Sequence, residues 1–197
     1  MNWNDIVRDK DLVKALKEGG VVVMPTDTIY GIVGEALNVS LVNRIYQIRR
    51  RAPDKPCILL ISGLDELKKF SITFSPKQKD VLEKYWSFDS AQDLRPNSTS
   101  IILDCQNQSL EYLHRGTNLL AFRIPMQAEL QKLLKETGPL IAPSANLEGF
   151  PPAQNITEAK KYFGNLVDLY IDGGEIKGKP SKIIRLNNDG SEEILRH

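Results

Sequence analysis

Pro25-Thr26-Asp27-Thr28-Ile29-Tyr30-Gly31 follows directly on the apolar run Val21-Val22-Val23-Met24. Two hydroxyls, a carboxylate and a phenol at the end of a buried strand make poor core. They make a good site, because the strand fixes them where open α/β sheets hold ligands. A polar turn between two strands is the other reading, Pro and Asp being common turn residues. Farther along, Arg49-Arg50-Arg51 ends a helix over 40–51, and Lys55 follows Pro53. Pro53 disfavours a helical Ala52. The helix therefore unwinds there, and Arg49, Arg51 and Lys55 can converge on one pocket for a phosphate or carboxylate. Cations at a helix carboxyl end are also stabilising in themselves, by about 0.3–1 kcal/mol. Arg123 interrupts the apolar stretch 119–125. A half-buried guanidinium needs an anion, supplied by an Asp or Glu of the fold or by a ligand. Pro143-Ser144-Ala145-Asn146 ends a second apolar run in compact donors and acceptors suited to ribose or phosphate. A turn capped by Asn146 and completed by Gly149 would use the same residues without a ligand.

Other chemistries find little support. The chain has two histidines, His114 and His197, and no Cys-x-x-Cys or His-Glu-x-x-His pattern that would hold a metal. A Ser-His-Asp hydrolase would need His114, which lies in a polar, loop-like stretch, and there is no G-x-S-x-G elbow. Gly173 to Gly178-Lys179 fits part of a phosphate-binding loop. However, Pro180 stands where Ser or Thr would reach magnesium, and a β-like IIRL follows in place of a helix. Ser181 and the lysines there can still line a pocket. Any metal is expected to arrive with a phosphate substrate.

The elements that must position these groups alternate. Strand-like runs at 20–25, 57–62, 99–104, 119–125, 139–143, 166–171, 183–187 and 192–196 are interleaved with helical segments. The helices are expected at 9–18, 40–51, 64–70, 76–86, 126–137 and 156–163. That order predicts an α/β domain with a mixed sheet. With 197 residues, 41% hydrophobic and 26% charged, one sizeable core is expected, with residues 87–95 as a polar surface loop. A net charge of +1 gives no global field toward nucleic acid, so a basic site must be local. Met1–Asp5 lacks the features of a signal peptide, the apolar runs are too short for a bilayer, and Cys57 and Cys105 sit in strand-like runs as reduced core residues. A cytoplasmic protein with no membrane association is the expectation.

Taken in order, these motifs resemble the YrdC/Sua5 family of L-threonylcarbamoyladenylate synthases. PTDTIYG at 25–31 matches the family's P-T-[DE]-T-x-Y-G, and IYQIRRRAPDKP at 45–56 is similar to its I-x-x-x-K-x-R-x-x-x-x-P segment. FRIP at 122–125 resembles V-R-x-P, and APSANLEG at 142–149 matches the S-x-N block. The resemblance runs from about residue 10 to Arg196. It implies a single YrdC-like domain over 1–197, with an insert at 87–95 and no carboxyl-terminal Sua5 domain. The implied fold is a twisted mixed parallel and antiparallel sheet flanked by helices around a wide basic cleft. The implied reaction joins L-threonine, bicarbonate and ATP, with Mg²⁺ on the nucleotide, to give threonylcarbamoyl-AMP and pyrophosphate. This is a nucleotidyltransferase step toward N6-threonylcarbamoyladenosine at position 37 of tRNA. By position, Thr26, Tyr30, Arg123 and Ser181 would bind threonine. Arg49, Arg51, Lys55, Ser144, Asn146 and Arg196 would bind ATP, Tyr30 and Lys55 lying along the cleft. No side chain would act as a covalent nucleophile, and none would hold a metal. The product would pass to a tRNA threonylcarbamoyl transferase complex, with RNA contact possible. The chain departs from the family at Arg49, where lysine is usual, at the Trp86–Pro96 split, at Ser181-Lys182 and at Pro152. Two other readings follow from the same resemblance. One is a non-catalytic YciO-like protein that binds nucleotide or double-stranded RNA; the other is a carbamoyl-adenylate domain like that of hydrogenase maturation proteins.

Overall fold

The computed structural model describes residues 10–86 and 98–197, so the expected insert at 87–95 lies outside the described residues. Its strands are β1 (Val22–Pro25), β2 (Tyr30–Glu35), β3 (Ile58–Leu60), β4 (Thr99–Asp104), β5 (Leu119–Arg123), β6 (Leu140–Ile141), β7 (Leu169–Tyr170), β8 (Lys182–Leu186) and β9 (Glu192–Arg196). They form one nine-stranded sheet in the order β7-β1-β2-β6-β3-β5-β4-β8-β9. The pairs β1/β7, β3/β5 and β4/β8 are parallel and the others antiparallel, as the alternation of elements predicts for a mixed sheet.

Helices cover both faces, and β1 shows why its sequence is apolar without a break. Val22 and Met24 pack with Leu12 and Leu16 of α1 (Lys10–Lys17), and with Leu130, Leu133 and Leu134 of α5 (Ala128–Thr137). Val23, one residue out of phase, packs into the opposite layer with Leu41, Val42 and Ile45 of α2 (Val39–Arg49). A strand buried on both faces has no side that must be polar. The remaining helices are α3 (Pro76–Trp86), the short α4 (Glu111–His114) and α6 (Ile156–Phe163). The segment Leu64–Phe70 is a tighter 3₁₀ helix where an ordinary one is predicted.

The main departure from expectation is β2. Its sequence, YGIVGE, carries two glycines, and glycine counts against a strand on propensity. Both lie where a side chain would press on a packed neighbour. A Cβ on Gly34 would lie 2.3 Å from Leu41 Cδ2, and one on Gly31 would lie 3.1 Å from Thr26 Cγ2. β2 pairs antiparallel with β1, Pro25 opposite Tyr30, so residues 26–29 are the turn of a hairpin. The turn and the site are the same residues.

The end of α2 is the second feature that places functional groups. Asn38 caps its start, Oδ1 accepting from Leu41 N at 3.1 Å. Arg50 closes it in the left-handed region at φ 51°, its amide donating to Gln47 O. That conformation, costly by about 1–2 kcal/mol for a side chain with a Cβ, turns the chain out of the helical path. Arg49 stays against the core, and Arg51 emerges from it.

Candidate active site

The β1–β2 turn, the start of β3, the segment after β6, the ends of β5 and β9 and the start of β8 enclose an open pocket of about 320 Å³. Arg51, Arg123 and Arg196 line it together with the hydroxyl residues Thr26, Thr28, Ser144 and Ser181, and among the described residues its lining contains no carboxylate and no histidine. Such a surface suits an anion with several oxygens, each guanidinium offering donors in a fixed plane.

Thr26 organises the turn. Its hydroxyl donates to Ile29 O at 2.7 Å, and its backbone amide donates to the same carbonyl at 3.1 Å. Thr26 is only 5% exposed, yet it lines the pocket. Tyr30 lines it too, but its hydroxyl is fully engaged elsewhere. That hydroxyl accepts from Gly173 N at 2.7 Å and donates to Gly174 O at 2.9 Å. Burial pushes the phenol above its usual range. The predicted threonine ligand is thus, in the structure, a strap that holds the 172–180 loop against the hairpin. That loop lies so close that a Cβ on Gly178 would overlap Thr28 O at 1.7 Å.

Arg123 shows which anion completes the apolar strand. Its Nη2 donates to Asp27 Oδ1 at 2.9 Å, and the two side chains are 4% and 2% exposed. The fold itself supplies the partner, from the polar turn 96 positions earlier in the chain. Asp27 Oδ2 also accepts from Ser98 Oγ at 2.5 Å, while Arg123 Nε has no partner. The sequence reading counted the Asp27 carboxylate in the turn but gave it no binding role and no partner. The signal was nevertheless present: a lone arginine in an apolar strand, and one carboxylate in a conspicuous turn.

Ser181 sits at the start of β8. Its hydroxyl shares a hydrogen bond with Ser100 Oγ at 2.8 Å, and its carbonyl accepts from Arg196 Nε at 2.9 Å. Burial, and then the charge of Arg123, hold the Arg196 guanidinium below its ordinary pKa. Arg196 and Arg51 on the same pocket favour an anion between them.

The basic cluster after α2 does not converge as its spacing predicts. Arg51 enters the pocket, its Nε donating to Lys55 O at 3.0 Å and its Nη2 to Pro56 O at 2.9 Å. Lys55 is directed away: its ammonium pairs with Glu148 Oε1 at 2.6 Å, and Glu148 Oε2 accepts from Ala52 N. Glu148 therefore supplies an acidic counterpart to the cluster from within the fold. The hydrogen bond from Lys55, and then that from the Ala52 amide, hold its carboxyl below the usual range, and together they tie the arginine loop to the 142–149 segment.

Arg49 lies behind the pocket wall, 2% exposed. Its Nε donates to Asn146 O at 3.1 Å, and its Nη2 donates to Asn146 Oδ1 at 3.0 Å and Ser144 Oγ at 3.2 Å. Nη1 has no partner. No carboxylate touches this guanidinium, and burial brings its pKa down to about 10. Asn146 is likewise behind the wall, its Nδ2 donating to Leu147 O and Phe150 O. Arg49 and Asn146 thus position Ser144, which does line the pocket.

Two further residues differ from their sequence reading. Cys57 is core, as expected, but also lines the pocket. His114 is wholly buried in α4, its Nδ1 accepting from Gly116 N at 3.2 Å, and is not in a polar loop. Among the described residues no cluster of His, Cys, Asp and Glu could hold a metal ion, and no helix is long and apolar enough to cross a membrane.

Comparison with known proteins agrees with the architecture. A threonylcarbamoyl-AMP synthase of Bacillus subtilis is 29% identical over 161 residues, covering 81% of this chain and 44% of that protein. The structure of Pyrococcus abyssi Sua5 in complex with L-threonine superposes with a TM-score of 0.80 at 24% identity, covering 100% of this chain and 54% of that one. Escherichia coli YciO superposes at 0.76 with 24% identity, covering 100% and 90%. The chain thus spans about half the length of the Bacillus and Pyrococcus proteins. The family model Sua5/YciO/YrdC, described as telomere recombination, matches residues 14–197, and the chain belongs to that family.

Proposed function

We propose that this chain is an L-threonylcarbamoyladenylate synthase, a nucleotidyltransferase that acts in the cytoplasm on the path to threonylcarbamoylated tRNA. The observation that carries the reading is the convergence of Arg51, Arg123 and Arg196 with Thr26, Thr28, Ser144 and Ser181 on a pocket that, among the described residues, no carboxylate lines. The Bacillus relative named for this reaction and the Pyrococcus structure holding L-threonine support it.

The chemistry asks for such a surface. The threonine amine and bicarbonate give a carbamate with loss of water, and a carbamate oxygen attacks the α-phosphorus of ATP; the bond to the bridging β-phosphate oxygen breaks and pyrophosphate leaves with the electron pair. Nucleophile, threonine carboxylate and triphosphate are all anionic, so their approach is opposed by several charges at once. Fixed guanidinium groups offset that repulsion and stabilise charge spread over the transferring phosphoryl group. Arg123 and the Thr26 turn face the threonine side. Arg51, Ser144 and Arg196 face the nucleotide, with Arg49 and Asn146 holding Ser144 from behind. Mg²⁺ belongs to the ATP: the acids near the pocket, Asp27 and Glu148, are committed to Arg123, Ser98, Ala52 and Lys55. Orientation of three substrates supplies much of the remainder. The product, a carbamoyl–phosphoryl mixed anhydride, requires a transferase that consumes it with tRNA as acceptor.

The test is pyrophosphate release from Mg-ATP by the purified protein, with threonine and bicarbonate each present or omitted. Release that needs both is the expected result. ATP binding without release, together with RNA affinity that falls steeply with salt, would replace this reading with that of a YciO-like binding protein.

A further inference from the structure

Asp27 lies at the tip of the β1–β2 hairpin, buried, with one oxygen on Arg123 Nη2 at 2.9 Å and the other on Ser98 Oγ at 2.5 Å. Ser98 immediately precedes β4, the strand paired with β5, whose last residue is Arg123. One carboxylate thus bridges the hairpin turn and the β4–β5 pair and grips the guanidinium from one side. A planar guanidinium held at one nitrogen is held in its orientation. Arg123 Nε is buried with no protein partner, and buried donors in native structures are rarely left so.

The pairing has an electrostatic consequence. Asp27 cancels most of the charge of Arg123, so the pair attracts an anion less than a bare arginine would. A site built for affinity alone would leave that carboxylate out. What the carboxylate does supply is a fixed direction for the free edge of the guanidinium.

We propose that Asp27 is a positioning residue. By gripping Arg123 Nη2 while anchored to Ser98, it aims the free N–H edge of Arg123 at the carboxylate of the amino-acid substrate. It thereby sets the substrate's reactive orientation, at the expense of some attraction for the anion. This rests on the synthase reading above and adds to it a residue that never touches the reacting atoms.

The test compares Asp27→Ala and Asp27→Asn with the wild-type chain, at a temperature well below each protein's melting point. Turnover is followed by pyrophosphate release and threonine affinity by calorimetry. Asp27→Ala removes the grip and exposes the full charge of Arg123. Turnover should fall on the order of ten- to a hundredfold, the scale of a small misplacement of reacting groups, while threonine binds as tightly as before or tighter. Asp27→Asn keeps an oxygen for Nη2 and should recover part of the turnover; it also serves where Asp27→Ala does not fold. Wild-type turnover in the variants, or threonine binding weakened with turnover intact, would overturn the proposal. So would equal losses in both variants for threonine and ATP alike, since that pattern marks a general structural role. A wild-type chain with no threonine-dependent release would instead remove the synthase reading, and this inference with it.

Discussion

Arg123 and Arg49 are both almost wholly buried beside the same pocket, and the fold treats them in opposite ways. Arg123 has a carboxylate, Asp27, at 2.9 Å. Arg49 has only neutral oxygens, from Asn146 and Ser144, and a pKa brought down to about 10 by burial. The first arrangement gives a nearly neutral pair whose geometry is set from both ends. The second gives a desolvated charge that the surrounding dipoles only partly offset. That charge donates to Ser144 Oγ at 3.2 Å, and Ser144 lines the pocket. The two walls therefore differ in kind: one holds its arginine by a carboxylate, the other by neutral oxygens.

The contrast is open to direct measurement, and the largest effect concerns what each arginine leaves behind. Arg123→Met strands the Asp27 carboxylate with Ser98 as its remaining donor and should cost about 3–5 kcal/mol of folding stability. Arg49→Met strands only neutral acceptors while removing a desolvated charge, so its cost should be about 1 kcal/mol or less. Urea denaturation of the two variants reads the difference. Equal losses would mean that Asn146 and Ser144 compensate Arg49 as fully as Asp27 compensates Arg123. Adding Asp27→Leu to Arg123→Met should restore most of the lost stability, since the double change leaves no stranded charge.

A neutral hydrogen bond on the same hairpin gives the intermediate case. Tyr30→Phe frees Gly173 N and Gly174 O, and should lower stability by about 1–3 kcal/mol. Because the hydroxyl is committed to the loop, the KM for threonine should stay unchanged. A selective rise in that KM would return Tyr30 to the ligand set that its sequence motif implies.

The smallest effect is expected where a pair is exposed. Arg44 and Asp168 make a two-pronged contact at 2.6 and 2.9 Å, with side chains 40% and 42% exposed, and Asp168 also accepts from Val21 N. Arg44 holds the Asp168 carboxyl below its ordinary 3.8. A depressed acid contributes stability that is complete above its unfolded pKa and is lost as pH falls through the folded one. Asp168→Asn should therefore cost about 1 kcal/mol or less at neutral pH, and its gap to wild type should close as pH falls below that ordinary value. A gap that persists in acid would assign the effect to the Val21 bond alone.

Much of the site was legible in the chain because its parts are local. The turn 25–31, the basic end of α2, the S-x-N segment and Arg123 each stand out against apolar neighbours, and Thr26, Arg51, Arg123, Ser144, Ser181 and Arg196 do meet on one pocket. What could not be read was direction. Helix spacing leaves Arg49, Arg51 and Lys55 equally free to face one ligand. The left-handed turn at Arg50 and the Lys55–Glu148 pair send them to three different places. β2 entered only as the far strand of the alternative polar-turn reading, since its glycines lower strand propensity, and their place is set by contacts with Leu41 and Thr26.

The sequence by itself determined the alternation of elements, the two-sided burial of β1 and the residue types that an anionic substrate needs, because periodicity and composition act through near neighbours. Only the tertiary structure decided that Asp27 belongs to Arg123, 96 positions away, that Tyr30 straps a loop 143–144 positions on, and that Arg49 is a buried charge with no carboxylate. Those pairings are settled by strand order and register, which bring together groups that no local pattern relates.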